Sequence, residues 1–523
     1  MTSVLNKQKI RNLLECRFKD DSYISVKQLP HPGKLKHCEH AAKLIAEGIK
    51  RNQKILIVGD YDVDGITSSV IMMKFFKMIG YKNVNYVIPN RFSDGYGINK
   101  SIIEKNPADI IITVDNGISA FDCGEYCAKM GITLIITDHH IIKEKLPQAN
   151  AIINPQQKDC LFPQKEICGA AVSWYLCNAI KLEMGTNIPL ADLLDLVAIA
   201  TIADMMPLFQ INKLLVRVGL KKFQNSHSPC NILLKTLPKK SPITSQDISF
   251  YIAPLINSAG RMGDGKIAAD FLLSEDTFNA QKLFYELNKL NKDRKAIAQE
   301  ILTYTQNTSL ICDNCIIAYG ENWHEGVLGI VAANLAKNHK RPAIILSKKG
   351  DVLKGSARSY GNINLIEALQ AHSDFLLEFG GHTKAVGLKI KEENLEKFFQ
   401  ALSVSKMPQC AEEENAEILG VIDIKDVDNE LLEILEEFEP YGQGNPPPNF
   451  ICENLKISSS KTIKSLHQSF ELASNTTTKK AIIFFTEKFY SPNEYVNISF
   501  SLQKDNFSNE AMMILKTIQK CHL

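Results

Sequence analysis

Three aspartates alternate within one short segment, VGDYDVDG, which spans residues 58–65. Asp60, Asp62 and Asp64 stand directly before Gly65, and an apolar run, KILIV (54–58), precedes them. Carboxylate oxygens are the ligands that hard divalent cations prefer, so a loop this rich in carboxylates indicates a metal site.

Two other kinds of loop fit these residues less well. An EF-hand calcium loop needs a glutamate at its twelfth position and a helix before it, whereas the twelfth position here is Ile71 and KILIV is typical of a buried strand. A dinucleotide-binding turn needs three glycines, and three carboxylates would repel a pyrophosphate. We therefore expect a divalent-metal site at the carboxyl end of a parallel strand.

Further acidic and histidine residues follow other predicted strands. Asp115 ends one strand in ITVDNGIS, Asp138, His139 and His140 end the next in LIITDHH, and Asp204 lies beyond a helix in IADMMPL. Taken singly, an aspartate there could be a turn former or a helix N-cap, and the histidine pair could merely pack. Together they favour a metal site, and mixed Asp and His donors suit Mn²⁺ or Mg²⁺ better than structural zinc.

The elements that must position these residues alternate through the first third of the chain. Short apolar runs separated by helix-period stretches predict a parallel sheet with helices on both faces. The predicted strands are KILIV (54–58), NVNYVI (83–88), DIIITV (109–114), ITLIIT (132–137) and AII (151–153).

The remaining chain changes character three times. It becomes helical from about residue 191, with one long helix predicted over 274–306, and a second α/β pattern starts near residue 311. After the acidic CAEEENAE (410–417) the pattern is strand-like and predicts a small β-barrel. The predicted units are an N-terminal segment (1–45), an α/β catalytic domain (46–215), a helical region with a long connecting helix (216–308), a second α/β domain (309–408) and the barrel (409–523).

Composition excludes some classes of protein and leaves others open. The 523 residues carry 60 basic and 58 acidic side chains, so any nucleic-acid site must be a local patch. No secretory signal or membrane span is predicted. The 13 cysteines include one Cys-x-x-Cys pair, Cys312 and Cys315, without further zinc-finger spacing, so we expect reduced thiols in a cytoplasmic protein.

Nine segments, in this order, resemble the motifs of the DHH phosphoesterase superfamily and, within it, of the RecJ family of single-strand-specific exonucleases. The DHH-like segments are GDYDVDGITS, PNRFSDGYGI, TVDNGIS, TDHH and IADMMPL, and the later ones are NSAGRMGD (257–264), WHEGVLGIVAANLAK (323–337), KGSARS (354–359) and FGGHTKAVGL (379–388). EPYGQGNPPPNF (439–450) is similar to the start of that family's oligonucleotide-binding barrel. The resemblance covers roughly residues 30–520 and implies a DHH domain, a DHH-associated α/β domain and an OB-fold barrel.

The resemblance also implies a two-metal phosphodiester hydrolase that uses Mn²⁺ or Mg²⁺ and releases 5′-mononucleotides. The implied metal ligands are Asp62, Asp64, Asp115, His139 and Asp204, with Asp115 as the bridge between two ions. We expect Asp60 to orient a ligand or a water molecule.

Other residues are assigned to substrate by the same resemblance. His140 is expected to contact a phosphate or to give a proton to the leaving oxygen, with a merely bracing histidine as the alternative. Arg91 is expected on a non-bridging phosphate oxygen, with a surface arginine beside a turn as the alternative. Asp94 is predicted to cap the following helix.

The second domain is expected to hold the 5′ end of the strand. Arg261, Ser356, Arg358 and His382 would form an anion site for a terminal 5′ phosphate, which implies 5′-to-3′ polarity, although ordinary surface placement is the alternative for each. His324 is expected only to brace the domain.

The expected partner is single-stranded DNA in a cleft between the domains. The resemblance also implies a role in recombination and repair, with a helicase and a single-strand-binding protein as further partners. The barrel would extend this path, with Phe484, Phe485, Phe489 and Tyr490 as its best candidates for base stacking, although the core is the favoured place for them. We expect a monomer without membrane contact. The alternatives are a DHH phosphodiesterase acting on short oligoribonucleotides or cyclic dinucleotides, and a non-catalytic replication scaffold.

Overall fold

The structure is a computed structural model. It describes residues 4–19, 21–142, 145–238, 242–408, 418–463, 466–475, 477–486, 488–505, 508 and 510–521. Within these ranges, no helix combines the length and the apolar character needed to cross a membrane.

The first α/β domain is built on a five-stranded parallel sheet in the order β2-β1-β3-β4-β5. The elements up to its end are α1 (Lys7–Arg17), α2 (Cys38–Lys50), β1 (Ile55–Val58), α3 (Val63–Met78), β2 (Val84–Val87), α4 (Lys100–Lys105), β3 (Ile110–Val114), α5 (Phe121–Met130), β4 (Thr133–Thr137), β5 (Ala151–Ile153), α6 (Gly169–Glu183) and α7 (Leu194–Ala203). All five strands lie where the apolar runs predicted them.

Helices cover both faces of this sheet, which is why β1 and β3 are apolar at nearly every position. Ile55 and Ile57 belong to the core cluster that includes residues of α2, α3, α6 and α7. Leu56 and Val58 belong to the opposite cluster, which includes residues of α4 and α5. The predicted parallel sheet with helices on both faces is confirmed.

A helical region then leads to the second domain. It comprises α8 (Gln210–Asn225), α9 (Pro229–Leu234), α10 (Ser245–Asp247), a π-helical turn (Ile248–Ile252), α11 (Ala253–Met262), α12 (Lys266–Leu273) and α13 (Thr277–Thr308). The 32-residue α13 is the predicted connecting helix. Its Leu287 packs in the core of the first domain, and its Ala298 packs in a cluster with residues of the second.

The second α/β domain has a mixed six-stranded sheet in the order β10-β11-β9-β8-β7-β6. Only β7 and β8 pair in parallel; the other neighbours are antiparallel. Its elements are β6 (Leu310–Ile311), β7 (Ile316–Glu321), α14 (Glu325–His339), β8 (Ala343–Lys349), β9 (Val352–Arg358), α15 (Leu365–Gln370), β10 (Leu376–His382), β11 (Ala385–Lys391) and α16 (Glu392–Val404).

The C-terminal domain is the predicted barrel. Its elements are β12 (Ile418–Val421), α17 (Asn429–Glu436), β13 (Asn449–Ile463), β14 (His467–Ala473), β15 (Thr478–Phe484), β16 (Tyr495–Lys504) and β17 (Ala511–Lys520). Pairing of β13 with β16 closes the strand order β13-β14-β15-β17-β16, and β12 adds to the edge of β13. The predicted boundary segment 410–417 lies outside the described residues.

The N-terminal segment is shared between two domains. Leu5, Ile10 and Leu14 pack in the core of the barrel domain, and Lys7 Nζ lies 2.6 Å from Asp428 Oδ2. In contrast, α2 packs against α6 of the first domain. The predicted domain limits stay predictions.

Candidate active site

The carboxyl ends of β1, β3 and β4 meet at one edge of the first sheet and bring the predicted metal-binding residues together. His139 Nε2 lies 3.1 Å from Asp115 Oδ1, 3.5 Å from Asp204 Oδ2 and 3.6 Å from Asp64 Oδ2. Asp204 reaches this point because α7 ends directly before it. The neighbouring parallel strands therefore bring these side chains to one edge of the sheet, as expected from the sequence.

Several polar atoms of this cluster are buried and make no hydrogen bond to any described residue. They are Asp60 Oδ1, Asp115 Oδ1, His139 Nε2 and Asp204 Oδ2. A buried polar atom without a partner is costly, and a bound cation would satisfy all of them. The donor set consists of carboxylates and imidazole without a thiolate, which fits Mn²⁺ or Mg²⁺.

The ligand atoms fall into three groups, each with its members within 4.8 Å of one another. The groups are Asp60, Asp62 and Asp115; Asp64, His139 and Asp204; and Asp115, His139 and His140. Asp115 is present in two groups, as a bridging ligand requires. Asp60 and His140 also offer atoms to these groups, beside the five residues that the sequence assigned as ligands.

The first acidic loop is held by the start of two helices. Asp62 is the N-cap of α3 and accepts a hydrogen bond from the Gly65 amide at 3.1 Å. Asp64 accepts hydrogen bonds from the amides of Gly169 at 2.6 Å and Ala170 at 2.7 Å, at the start of α6. A Cβ atom on Gly65 would lie 2.4 Å from the backbone nitrogen of Asp60, so only glycine permits this tight turn.

Asp115 has a left-handed backbone with φ of 62°, which a non-glycine residue adopts only when its surroundings impose it. The buried Asn116 provides that support. Its Nδ2 donates to the carbonyls of Val58, Gly59 and Val114 at 2.9–3.0 Å. This positioning role of Asn116 was not predicted from the sequence, because Val58 and Gly59 are distant from it along the chain.

Burial and mutual repulsion raise the pKa values of the Asp64 and Asp204 carboxyl groups. Burial, followed by the charge of Asp62, raises the pKa of Asp64 to about 7, and burial with Asp64 raises the pKa of Asp204 to about 9. Burial also lowers the pKa of His139 to about 4, which keeps its ring neutral and able to act as a ligand. The protein alone therefore disfavours the charges that a cation would require.

His140 is held by Asp138, the first residue of the Asp-His-His tripeptide. The His140 Nδ1 atom lies 2.7 Å from Asp138 Oδ1, which also accepts hydrogen bonds from the amides of His139 and His140. Burial opposes a charge on His140, but the hydrogen bond and charge of Asp138 outweigh it and raise the pKa of His140 to about 9. Asp138 thus acts as an orienting residue for a protonated imidazole.

A cleft of about 700 Å³ lies beside His140. The first domain contributes Tyr61, Tyr96 and Ile141 to its lining, and the second domain contributes Gly380, Gly381 and His382. The cleft between the two domains is therefore next to the metal-binding cluster, and His382 is part of its lining.

Arginines from separate elements lie close to Arg261, which is itself near Asp62. Burial, followed by the charges of Arg91, Arg294 and Arg358, lowers the pKa of Arg261 to about 10. None of these four arginines makes an ion pair with a described carboxylate. Unpaired guanidinium groups held close together suit an anion. Arg294 was not predicted from the sequence, because it lies on the long helix α13 and approaches Arg261 only in the folded protein.

Ser356 and Arg358 lie side by side on β9, where Arg358 Nη1 donates to Ser356 Oγ at 2.7 Å. The strand register aligns Arg358 with Ala385 and Ala385 with His382, which places Arg358 and His382 on one face of the sheet. Two strand spacings separate them by about 10 Å. His382 is thus at the cleft rather than within the arginine group.

Three neighbouring predictions have mixed outcomes. Arg91 lies 5.2 Å above the Tyr61 ring, next to the first acidic loop. The prediction that Asp94 caps a helix is wrong, because Asn99 caps α4 and Asp94 instead accepts from the Asn90 amide at 2.9 Å. His324 caps α14 and so has a bracing role.

Comparison with known proteins gives a consistent picture. The DHH family N-terminal domain matches residues 54–201, the DHHA1 domain 313–404 and the RecJ OB domain 419–518. The single-stranded-DNA-specific exonuclease RecJ of Haemophilus influenzae is 34% identical over 455 residues, and that of Escherichia coli is 33% identical over 457. Each match covers 82% of this chain and 79% of the relative.

A solved structure agrees with these matches. The crystal structure of RecJ from Thermus thermophilus in complex with Mn²⁺ superimposes with a TM-score of 0.80 at 26% identity, over 96% of this chain and 74% of that one. The matched domains, their order along the chain and the sequence identity all indicate the same family. The chain belongs to the RecJ family of single-stranded-DNA-specific exonucleases.

Proposed function

We propose that this protein is a metal-dependent 5′-to-3′ exonuclease that degrades single-stranded DNA to 5′-mononucleotides. The observation that carries the proposal is the buried group of carboxylate and imidazole atoms that make no hydrogen bond to any described residue, beside a cleft between the two domains. The names of the relatives, and the Mn²⁺ in the Thermus structure, support it.

Asp62, Asp64, Asp115, His139 and Asp204 would hold two Mn²⁺ or Mg²⁺ ions, with Asp115 between them. Such a pair of ions supplies an activated water and charge stabilisation for the attacking and leaving oxygens of a phosphodiester. Asp60, whose Oδ1 is unpartnered, orients this assembly from behind Asp62.

The chain's own residues provide the remaining chemistry. His140, kept protonated by Asp138, donates its proton to the leaving oxygen of the scissile bond. Arg91 binds a non-bridging oxygen of the same phosphate and so fixes its orientation.

Polarity follows from the second anion site. Arg261, Ser356 and Arg358 bind the terminal 5′ phosphate, and His382, on the same face of the second sheet as Arg358, contacts the strand in the cleft. Gly380 and Gly387, which neighbour these residues on the sheet, leave open space where a side chain would otherwise project. A strand anchored by its 5′ phosphate presents its first phosphodiester to the metal-binding cluster.

We further propose that the enzyme acts as a monomer in the cytoplasm, in DNA recombination and repair, on strands supplied by a helicase and covered by a single-strand-binding protein. A cleft between two domains that admits one strand supports the requirement for unwound DNA. The net charge is only +2, but the arginines that would bind phosphate form a local basic patch. DNA binding should therefore weaken with added salt.

The experiment is digestion of 5′-labelled and 3′-labelled single strands, beside duplex DNA, short RNA and a cyclic dinucleotide, with Mn²⁺ or Mg²⁺. We expect early release of the 5′ label as a mononucleotide by the wild type and by Asp122→Ala, an exposed acid on α5. Asp115→Ala should be at least about a hundredfold slower.

Full activity of Asp115→Ala would contradict the assignment of the bridge. Early release of the 3′ label would contradict the polarity, and preferred cleavage of the RNA or the cyclic dinucleotide would favour a different phosphodiesterase.

A further inference from the structure

Two cysteine side chains are in contact at the junction between the connecting helix and the second sheet. Cys312 and Cys315 bracket the tight turn from β6 into β7, a few residues after the end of α13. Their sulfur atoms lie 3.6 Å apart. They form the Cys-x-x-Cys pair of the sequence, which the nuclease chemistry does not use. We name Cys312 and Cys315 the hairpin thiol pair.

The backbone already places the two residues as a disulfide requires. The Cys312 amide donates to the Cys315 carbonyl at 3.0 Å, which continues the antiparallel pairing of Ile311 with Ile316. Residues at a hydrogen-bonded antiparallel position lie about 5.5 Å apart at Cα, within the range of about 4.4–6.8 Å that a disulfide spans. To reach a bond length of about 2.05 Å, each sulfur would move by less than about 1 Å.

The turn between the two cysteines is held by its surroundings on both sides. Asn314 Nδ2 donates to three backbone carbonyls at the end of α16, at 2.7–3.0 Å. Arg341, which follows α14, donates to the Cys312 carbonyl. The two sulfurs therefore stay opposite each other, and a bond between them needs only movement of the side chains.

The two thiols differ in their access to solvent. Cys312 is partly exposed, whereas Cys315 is 1% exposed. Burial raises the pKa of the Cys315 thiol, so a dissolved oxidant reacts with Cys312 first. A partly exposed thiol beside a buried one is the arrangement of an attacking and a resolving cysteine.

A metal ion is a poorer explanation of the pair. A structural zinc site needs four ligands, and in the part of the chain that the structure describes, no cluster of three or more His, Cys, Asp or Glu ligand atoms includes either cysteine. Arg341 also places a guanidinium group beside the pair. A positive charge there disfavours a cation and favours a thiolate, so oxidation is the chemistry that suits these thiols.

We propose that the hairpin thiol pair is a reversible oxidation site, at which a hydroperoxide closes a disulfide between Cys312 and Cys315 that holds β6 on β7. Cys312 Sγ attacks a peroxide oxygen, so that the O–O bond breaks, an S–O bond forms, and the thiol proton leaves with the alcohol or water. Cys315 Sγ then attacks the sulfur of this sulfenic acid, the S–O bond breaks, and the hydroxyl group leaves as water with the Cys315 proton. Each disulfide consumes one hydroperoxide, and a dithiol reverses the reaction by exchange.

The disulfide would act locally on β6 and on Cys312 itself. The two-residue β6 lies at the edge of the sheet, and its Leu310 and Ile311 are 36% and 52% exposed. Such a short, exposed pair of strands opens readily, and a covalent bond at the next position keeps it in register. The disulfide also consumes the sulfenic acid before further oxidation makes it irreversible.

The test is mass spectrometry of the full chain after treatment with hydrogen peroxide, blocking of free thiols with a maleimide, and tryptic digestion. Cys312 and Cys315 are the only cysteines of the tryptic peptide 296–337. We expect this peptide to carry two maleimide groups before peroxide, none after it, and two again when dithiothreitol follows the peroxide. Cys16→Ser, which removes an exposed cysteine on α1, is the matched control and should behave as the wild type.

Single variants separate the two roles. In Cys315→Ala, Cys312 lacks its resolving partner and should be oxidised to a sulfinic acid, which dithiothreitol does not reverse. In Cys312→Ser, the buried Cys315 should still react with the maleimide after denaturation. Hydrogen exchange measures the local effect: the amides of residues 310–317 should exchange about tenfold more slowly in the oxidised than in the reduced wild type, and equally in both states of Cys312→Ser.

The inference would be overturned if the peptide of the peroxide-treated wild type still carried both maleimide groups, or if dithiothreitol did not restore them. One Zn²⁺ per purified chain, lost in both Cys312→Ser and Cys315→Ala, would assign the pair to a metal instead. Hydrogen exchange that oxidation leaves unchanged in the wild type would contradict the effect on β6.

Discussion

The two α/β sheets lie at one cleft, and the side chains that they hold near it differ in charge. The parallel sheet of the first domain ends in carboxylates and histidines, whereas the mixed sheet of the second domain presents Ser356, Arg358 and His382. The net charge of +2 does not reveal this difference in charge between the two sheets. A polyanion site here depends on placement and not on a basic composition.

The two sides of the cleft also differ in burial. We call the metal-binding residues of the first domain the first wall, and Ser356, Arg358 and His382 of the second domain the second wall. Asp64 and Asp115 are each 2% exposed and are fixed by backbone amides or by a strained turn, whereas His382 is exposed beside glycines that open the surface. Rigid, desolvated groups suit bond cleavage, and an exposed side chain beside glycines suits capture of a strand. Changes in the first wall should therefore lower kcat, and changes in the second should raise KM.

The largest effect is expected in the first wall. His140→Gln removes the protonated ring that donates to the leaving oxygen, and kcat should fall about a thousandfold with little change in KM. Asp138→Asn should lower kcat less and shift its pH profile, since it removes the partner that raises the pKa of His140 to about 9. His227→Gln, an exposed histidine on another segment, is the control, and a rise in KM alone would contradict the role.

Removal of metal tests the same wall without substrate. The pKa of Asp64 is raised to about 7 and that of Asp204 to about 9, so the metal-free protein should lose stability as the pH rises through these values. Mn²⁺ at about 100 times its Kd at about pH 8 should add about 2.7 kcal/mol, and the same concentration should add less at about pH 6, where protonated carboxyl groups compete with the metal.

Thermal unfolding in EDTA and in Mn²⁺, at about pH 6 and about pH 8, measures this effect. Asp204→Asn should show a weaker pH dependence in EDTA, while the exposed Asp122→Asn should behave as wild type. A wild type whose metal-free stability rises over this range would contradict the repulsion among these carboxylates.

The smallest effect is expected in the second wall. Arg358→Met should raise KM about tenfold for a 5′-phosphorylated strand and much less for a 5′-hydroxyl strand, with kcat nearly unchanged. Lys354→Met, on the same strand but paired with Glu325 at the surface, should alter neither value. Equal losses on both substrates would mean that Arg358 does not bind the terminal phosphate.

The sequence by itself determined the strands of the first sheet and the acids at their ends. Apolar runs such as KILIV can only be buried, and adjacent parallel strands must bring their carboxyl ends to one edge, so Asp64, Asp115 and His139 were predictable. The long helix α13 was predictable from its period and its length.

Only the tertiary structure decided which residues position those aspartates and which aromatic rings are exposed to solvent. Asn116 and Arg294 matter because of partners distant in sequence, which no local pattern reveals. Phe485 is apolar, as core residues usually are, yet a hydrogen bond from its amide to His467 and a strained backbone hold its ring in solvent. Burial depends on the whole fold, because a side chain is covered only where other elements come to lie against it.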